Sequence, residues 1–134
     1  MKRIAVLAVC FAVTTAAVSA APLAWVPSAS PAYANCMAHG EAAEGQTRAI
    51  EACGDAEIAL QQHRLDAVYA ARLARLGPTR SIALREGQRT WSAQRETACR
   101  SAAAKDAGGT AAGIDYQGCM IAETAQRTQQ LARG

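Results

Sequence analysis

Cysteine is the residue whose number and spacing say most about the chemistry open to this chain. Its 134 residues include five cysteines, at positions 10, 36, 53, 99 and 119. A thiol can act as a nucleophile, bind a metal or form a disulfide. Structural zinc ordinarily takes closely spaced cysteine pairs, and the sequence has no Cys-x-x-Cys, so metal binding is not expected. Cys10 lies inside an apolar N-terminal run, which sets it apart and leaves Cys36, Cys53, Cys99 and Cys119. An even set in a short exported chain reads as two disulfides. Four cysteines permit three pairings, and the sequence does not choose among them. Nearness along the chain favours Cys36 with Cys53 and Cys99 with Cys119. Each bridge would then contribute roughly 3 kcal/mol by the chain-entropy argument.

Other reactive groups are sparse. His39 and His63 are the two histidines and stand far apart in sequence, which suits exposed side chains better than a metal or base pair. No Gly-x-Ser-x-Gly is present, and bridged cysteines would leave no thiol for a Cys–His pair. Glu41 with Glu44, and Asp55 with Glu57, imitate the paired carboxylates of a glycosidase. That chemistry needs a cleft wide enough for a sugar chain, and a domain this small rarely has one. Enzymatic function, a catalytic residue and a cofactor are therefore not expected.

The exported character comes from the N-terminus. Met1-Lys2-Arg3 precedes an uncharged apolar run from Ile4 to Val18, followed by small residues, the layout of a secretory signal. The run is shorter than the roughly 20 residues of a spanning helix. Two small-x-small cleavage sites follow it, Val18-Ser19-Ala20 and Ala32-Tyr33-Ala34. The second is favoured here because the cysteine framework begins two residues later. The expected division is a signal peptide at 1–34 and a domain at 35–134. Neither Cys10 nor Cys36 follows a small residue as a lipid-modified cysteine requires, so a stable membrane anchor is not expected after cleavage. The location implied is the periplasm or the medium.

Positions 35–134 carry twelve basic and eleven acidic residues, a net charge of +1. That balance gives no field for nucleic acid.

The elements that must hold these residues read as helices. Ala, Arg, Leu, Glu and Gln dominate, all good helix formers, and no stretch alternates at period two. Helix one is expected over Gln46 to Leu76, with Ile58, Leu65, Val68, Tyr69, Leu73 and Leu76 near one side and a break near Gly54. Gly77-Pro78 ends it. Helix two is expected over Thr79 to Lys105, capped by Thr79 or Ser81. Leu84, Gln88, Trp91, Arg95 and Cys99 share one of its sides. Trp91 is expected at the centre of the core, with Gln88 and Arg95 bonded across to helix one and Asp66 or Glu57 receiving Arg95. A glycine-rich connection runs from Asp106 to Gly113. Helix three follows from Ile114 to Ala132. The fold class expected is all-α, a small three-helix bundle with two disulfides.

Five segments together resemble the LprI-like family, whose domain is known as the lysozyme inhibitor LprI N-terminal domain. Leu65-Asp66-Ala67-Val68-Tyr69 is similar to its LNxxY, and Leu84 to Trp91 to its LRxAQRxW. Gln94 to Cys99 resembles YRDxxC, Gly108-Gly109-Thr110 resembles GGS, and Cys119, Thr124, Arg127 and Leu131 resemble CxxxxTxxRxxxL. Asp66, Gly87, Gln94 and Glu96 depart from the family's residues at their positions. The resemblance implies an exported helical domain in which the four cysteines, Tyr69, Gln88, Trp91 and Arg95 are structural. With the family named for lysozyme inhibition, the reading adopted is an envelope binding protein, with lysozyme or another envelope protein as partner and occlusion of the enzyme's cleft as the expected mechanism. The segment from Lys105 to Gln117 is the candidate partner-binding loop, through Lys105, Asp106, Gly108, Gly109, Thr110, Asp115 and Tyr116. Lysozymes present a cleft with two carboxylates, and Lys105 is the residue suited to approach one. The alternative is a structural or accessory role, in which Arg72, Arg75, Arg80, Arg85 and Arg89 at the helical hairpin end contact cell-wall polymer or another protein.

Overall fold

A computed structural model describes residues 29–134. The expected leader run, Cys10 and the candidate cleavage site after Ala20 lie outside the described residues. Five α-helices follow one another: α1 (Pro31–Met37), α2 (Gly40–Ala43), α3 (Thr47–Leu73), α4 (Pro78–Ala103) and α5 (Ala111–Arg133), with a 3-10 turn at Ala104–Asp106 between the last two. The three long helices are those expected, to within three residues at every end. The two short ones were not anticipated, and α1 begins upstream of the boundary expected at Asn35.

Local chemistry accounts for most of the ends. Ser30 caps α1, its hydroxyl accepting from the Tyr33 N–H, and Pro31 occupies the first turn; proline is preorganised there and its missing N–H is no loss. Pro78 plays the same part in α4, with Gly77 at the cap position. Thr79 and Ser81, expected as caps, fall inside that helix, and the Ser81 hydroxyl reaches back to the Leu76 carbonyl at 3.3 Å.

The break expected at Gly54 does not occur: α3 runs unbroken through it. The glycine is there for packing. It is buried, and a Cβ at this position would collide with the carboxamide of Gln117 on α5. That carboxamide donates to the Glu51 carbonyl at 2.9 Å and to Asp55 Oδ1 at 2.6 Å. Helix continuity is thus maintained by neighbouring turns, and the missing side chain lets α5 approach.

Helix α5 is the element on which both α3 and α4 pack, whereas α3 and α4 meet each other only sparingly. The core follows that line. Leu65 and Cys53 of α3, Cys99 of α4, and Met120, Ile121, Ala125 and Leu131 of α5 are buried. Gln61, Glu57, Gln117 and Thr124 are buried with them. A core this narrow and this polar stabilises weakly per residue, so cross-links carry weight. The two disulfides supply them: Cys36–Cys53 joins α1 to α3 and Cys99–Cys119 joins α4 to α5, with Cα separations of 5.9 and 5.4 Å. Of the three pairings open to the sequence, this is the one that nearness favoured.

Trp91 is not the centre of the core. It is half-buried on α4, and so are Tyr69, Gln88 and Arg95. The centre is instead Leu65 of α3, fully enclosed, with Ile121 buried on α5. The reason is the arrangement of helices: with α5 serving both neighbours, the α4 face bearing Trp91 is only partly covered.

Candidate binding site at the hairpin end

The turn between α4 and α5 is short, because helix claims both flanks. Only Ala107 to Thr110 lie between the 3-10 turn and α5. Gly108 takes φ +94°, a conformation that glycine adopts without steric penalty. The Gly109 N–H donates to the Asp106 carbonyl at 3.0 Å and closes the turn. Every residue from Ala104 to Ala111 is exposed. Lys105, Asp106, Gly108, Gly109 and Thr110 therefore stand together at one tip of the molecule, and Asp115 is exposed on the first turns of α5. The Cys99–Cys119 bridge pins the base of this tip.

Asp106 and Asp115 approach each other. A hydrogen bond that the Asp115 carboxyl donates to Asp106, with some desolvation and mutual repulsion, raises the Asp115 pKa above the ordinary aspartate value. Two carboxyls so close hold a proton more readily than one alone.

Tyr116 differs from the other residues expected in the loop. It belongs to α5 and is half-buried, with its hydroxyl donating to Glu96 Oε2 at 2.9 Å. Arg100 Nε donates to the other oxygen, Glu96 Oε1, at 2.6 Å. The Tyr116 hydrogen bond first, and Arg100 next, hold the Glu96 carboxyl below the ordinary glutamate value. Burial, then the Glu96 contact, pushes the Tyr116 phenol up. Beside this pair Ala103, Ala104, Ala107 and Ala112 line a shallow, mainly apolar groove of about 530 Å³, together with Tyr116 and Arg100. No motif in the sequence singles out this groove. Its signal was the alanine-rich end of helix two, which composition alone assigns to helix propensity.

A second set of expected residues gathers on the α4 face. The Arg95 guanidinium lies 4.7 Å and that of Arg127 5.5 Å from the Trp91 ring centroid, within range of cation–π attraction. Arg95 Nη1 donates to Gln62 on α3 at 3.2 Å and to the Thr124 hydroxyl on α5 at 2.7 Å. It thus ties the three long helices through neutral oxygens, and not through Asp66 or Glu57 as expected. Glu57 is occupied by Ser30 and Gln61, and Asp66 accepts from Gln62. Gln88 likewise does not reach helix one. Its carbonyl accepts from Arg127 Nε on α5 at 3.0 Å, because α5 is the helix that α4 faces.

The remaining reactive groups do not converge. His63 is exposed, and His39 bonds the Asn35 carbonyl on its own short helix. Glu41 and Glu44 are exposed, while Glu57 is enclosed. Among the described residues no group of three or more His, Cys, Asp or Glu could hold a metal ion. No described helix is long and apolar enough to cross a membrane.

A small all-helical domain stapled by two disulfides has the make-up of an extracytoplasmic protein. The chain belongs to the LprI family: the family described as lysozyme inhibitor LprI matches it over residues 36–131. By its description this is a family of inhibitors rather than enzymes. Neither the curated proteins nor the solved structures provide a match.

Proposed function

We propose that this protein inhibits lysozyme by seating the α4–α5 turn in the enzyme's cleft, without a covalent step. The observation that carries the reading is the exposure of the whole turn, Ala104 to Ala111, above a disulfide at its base. A segment held in place before binding loses less conformational entropy on association than a free loop. Lys105 extends a flexible cation from the tip, suited to one of the cleft carboxylates. The alanine groove beside Tyr116 offers apolar area to the rim of the enzyme. Near-neutral net charge fits an interface made by shape and local contacts more than by long-range steering.

The test is a lysozyme turbidity assay with the purified, oxidised domain. Slowed lysis that is relieved by Lys105→Glu supports the reading. Unchanged lysis at a large molar excess rejects it.

A second reading draws on the α4 face. Arg85, Arg89 and Arg95 line a groove of about 240 Å³ with Trp91 and Tyr69, a setting for an acidic wall polymer. Capture on isolated peptidoglycan that fades with rising salt would favour it.

A further inference from the structure

We propose that export processing cuts this chain after Ala20, not after Ala34, and that Ser30 stays in the mature protein as the anchor of α1. The inference is independent of the lysozyme reading. It reverses the boundary that the sequence favoured, and it rests on what Ser30 does.

Ser30 is 4% exposed and Glu57 2%. The Ser30 N–H donates to Glu57 Oε1 at 2.8 Å and its hydroxyl to Oε2 at 2.5 Å. Gln61 Nε2 adds a third donor, at 2.7 Å to Oε1. Two of these three bonds would leave with a leader ending at Ala34. A carboxylate left buried with one donor of three carries a desolvation penalty that the Gln61 bond alone does not offset.

The helix itself would go too. Ser30 is its N-cap and Pro31 its first residue, and Pro31 to Ala34 are four of its seven positions. Asn35, Cys36 and Met37 would remain, too few for one hydrogen-bonded turn. Cys36 would then be the second residue of a fraying terminus, still expected to meet Cys53. In the structure α1 is seated instead: Ala32, Tyr33 and Cys36 line a small cavity of about 90 Å³ with Ala56 and Leu60 of α3.

The leader's own layout agrees. The apolar run ends at Val18, and Val18-Ser19-Ala20 follows at once. Ala34 lies sixteen residues past Val18, beyond Pro22, Pro27 and Pro31. A short polar, small-residue stretch directly after the apolar region is what a cleavage site requires.

Intact mass of the non-reduced protein, exported from the full-length precursor in a bacterial host, tests the proposal. The expected product begins at Ala21 and keeps both Trp25 and Trp91. A product beginning at Asn35, or an uncut precursor, overturns it. A second arm uses Ser30→Ala in the same precursor. It should lower the thermal midpoint by about 4–8 °C, or lose the protein from the exported fraction while Ser30→Thr accumulates. A midpoint unchanged by Ser30→Ala overturns the proposal, because a chain cut after Ala34 no longer contains that residue.

Discussion

The two disulfides close loops of similar length, 17 and 20 residues apart, yet they sit in opposite surroundings. Cys36–Cys53 stands beside a polar clasp in which Ser30, Gln61 and the Glu57 carboxylate are all buried. Cys99–Cys119 stands at the base of a turn that is exposed throughout. The same covalent device therefore has two uses. At the first end it fastens a short helix that could not form alone. At the second it fixes the direction of an exposed turn, the surface proposed to meet lysozyme.

Removing each bridge in turn is the sharpest way to break that comparison. Cys36→Ala with Cys53→Ala should lower unfolding free energy by about 3 kcal/mol and leave lysozyme inhibition intact wherever the domain remains folded. Cys99→Ala with Cys119→Ala should lower stability by a similar amount and weaken inhibition as well. Denaturant unfolding and turbidity assays, run side by side, measure both. Equal inhibition by the two variants would dissolve the distinction.

Gly54→Ala tests the packing of α3 on α5, away from both bridges. Helix propensity predicts a gain from this change, whereas the Gln117 carboxamide in the way predicts a loss of about 1–3 kcal/mol. The sign of the measured change decides between local preference and tertiary contact. Lys105→Glu should act in the opposite sense: stability within about 0.5 kcal/mol of the parent, with inhibition weakened about tenfold, equivalent to about 1.4 kcal/mol.

Tyr116→Phe should cost about 0.5–1.5 kcal/mol at neutral pH by removing the bond to Glu96. It should also change the response to acid. The folded Glu96 carboxyl titrates below its unfolded value, so its contribution is present above the unfolded pKa. That contribution is lost as the pH falls through the lower, folded one. The variant should lose less stability than the parent on acidification below about pH 4.3. Asp115 runs the other way. Its folded pKa is raised by Asp106, so the native state holds the proton more tightly and stability falls as the pH rises past the unfolded value. Asp115→Asn should give a small gain at neutral pH that disappears in acid, seen in thermal midpoints across a pH series.

Several features were legible in the residues themselves. Apolar spacing at helical period located the three long helices, and Gly77-Pro78 marked the junction between two of them. The count of cysteines, once Cys10 was set aside, implied two bridges. Family-like segments around Leu65, Trp91 and Cys119 led to the inhibitor family, which the match over residues 36–131 then established. A connection over Asp106 to Gly113 was legible because glycines clustered there, although α5 claims its last three residues. Less could be read for α1, since its seven residues are too few to show a period.

Composition, spacing and cysteine parity are properties of the chain alone, and they sufficed for helical class, bridge number and the exposed turn. Partners across the bundle were decided only by the way the helices stack. A sequence shows that Arg95 and Gln88 share a side with Trp91, but not which helix that side meets. With α5 packed on both neighbours, Arg95 bonds Gln62 and Thr124, Gln88 takes Arg127, and Trp91 remains half-buried. The Ser30–Glu57 clasp joins residues 27 apart through one specific approach of α1 to α3. Contacts of that kind depend on distances that no local preference encodes.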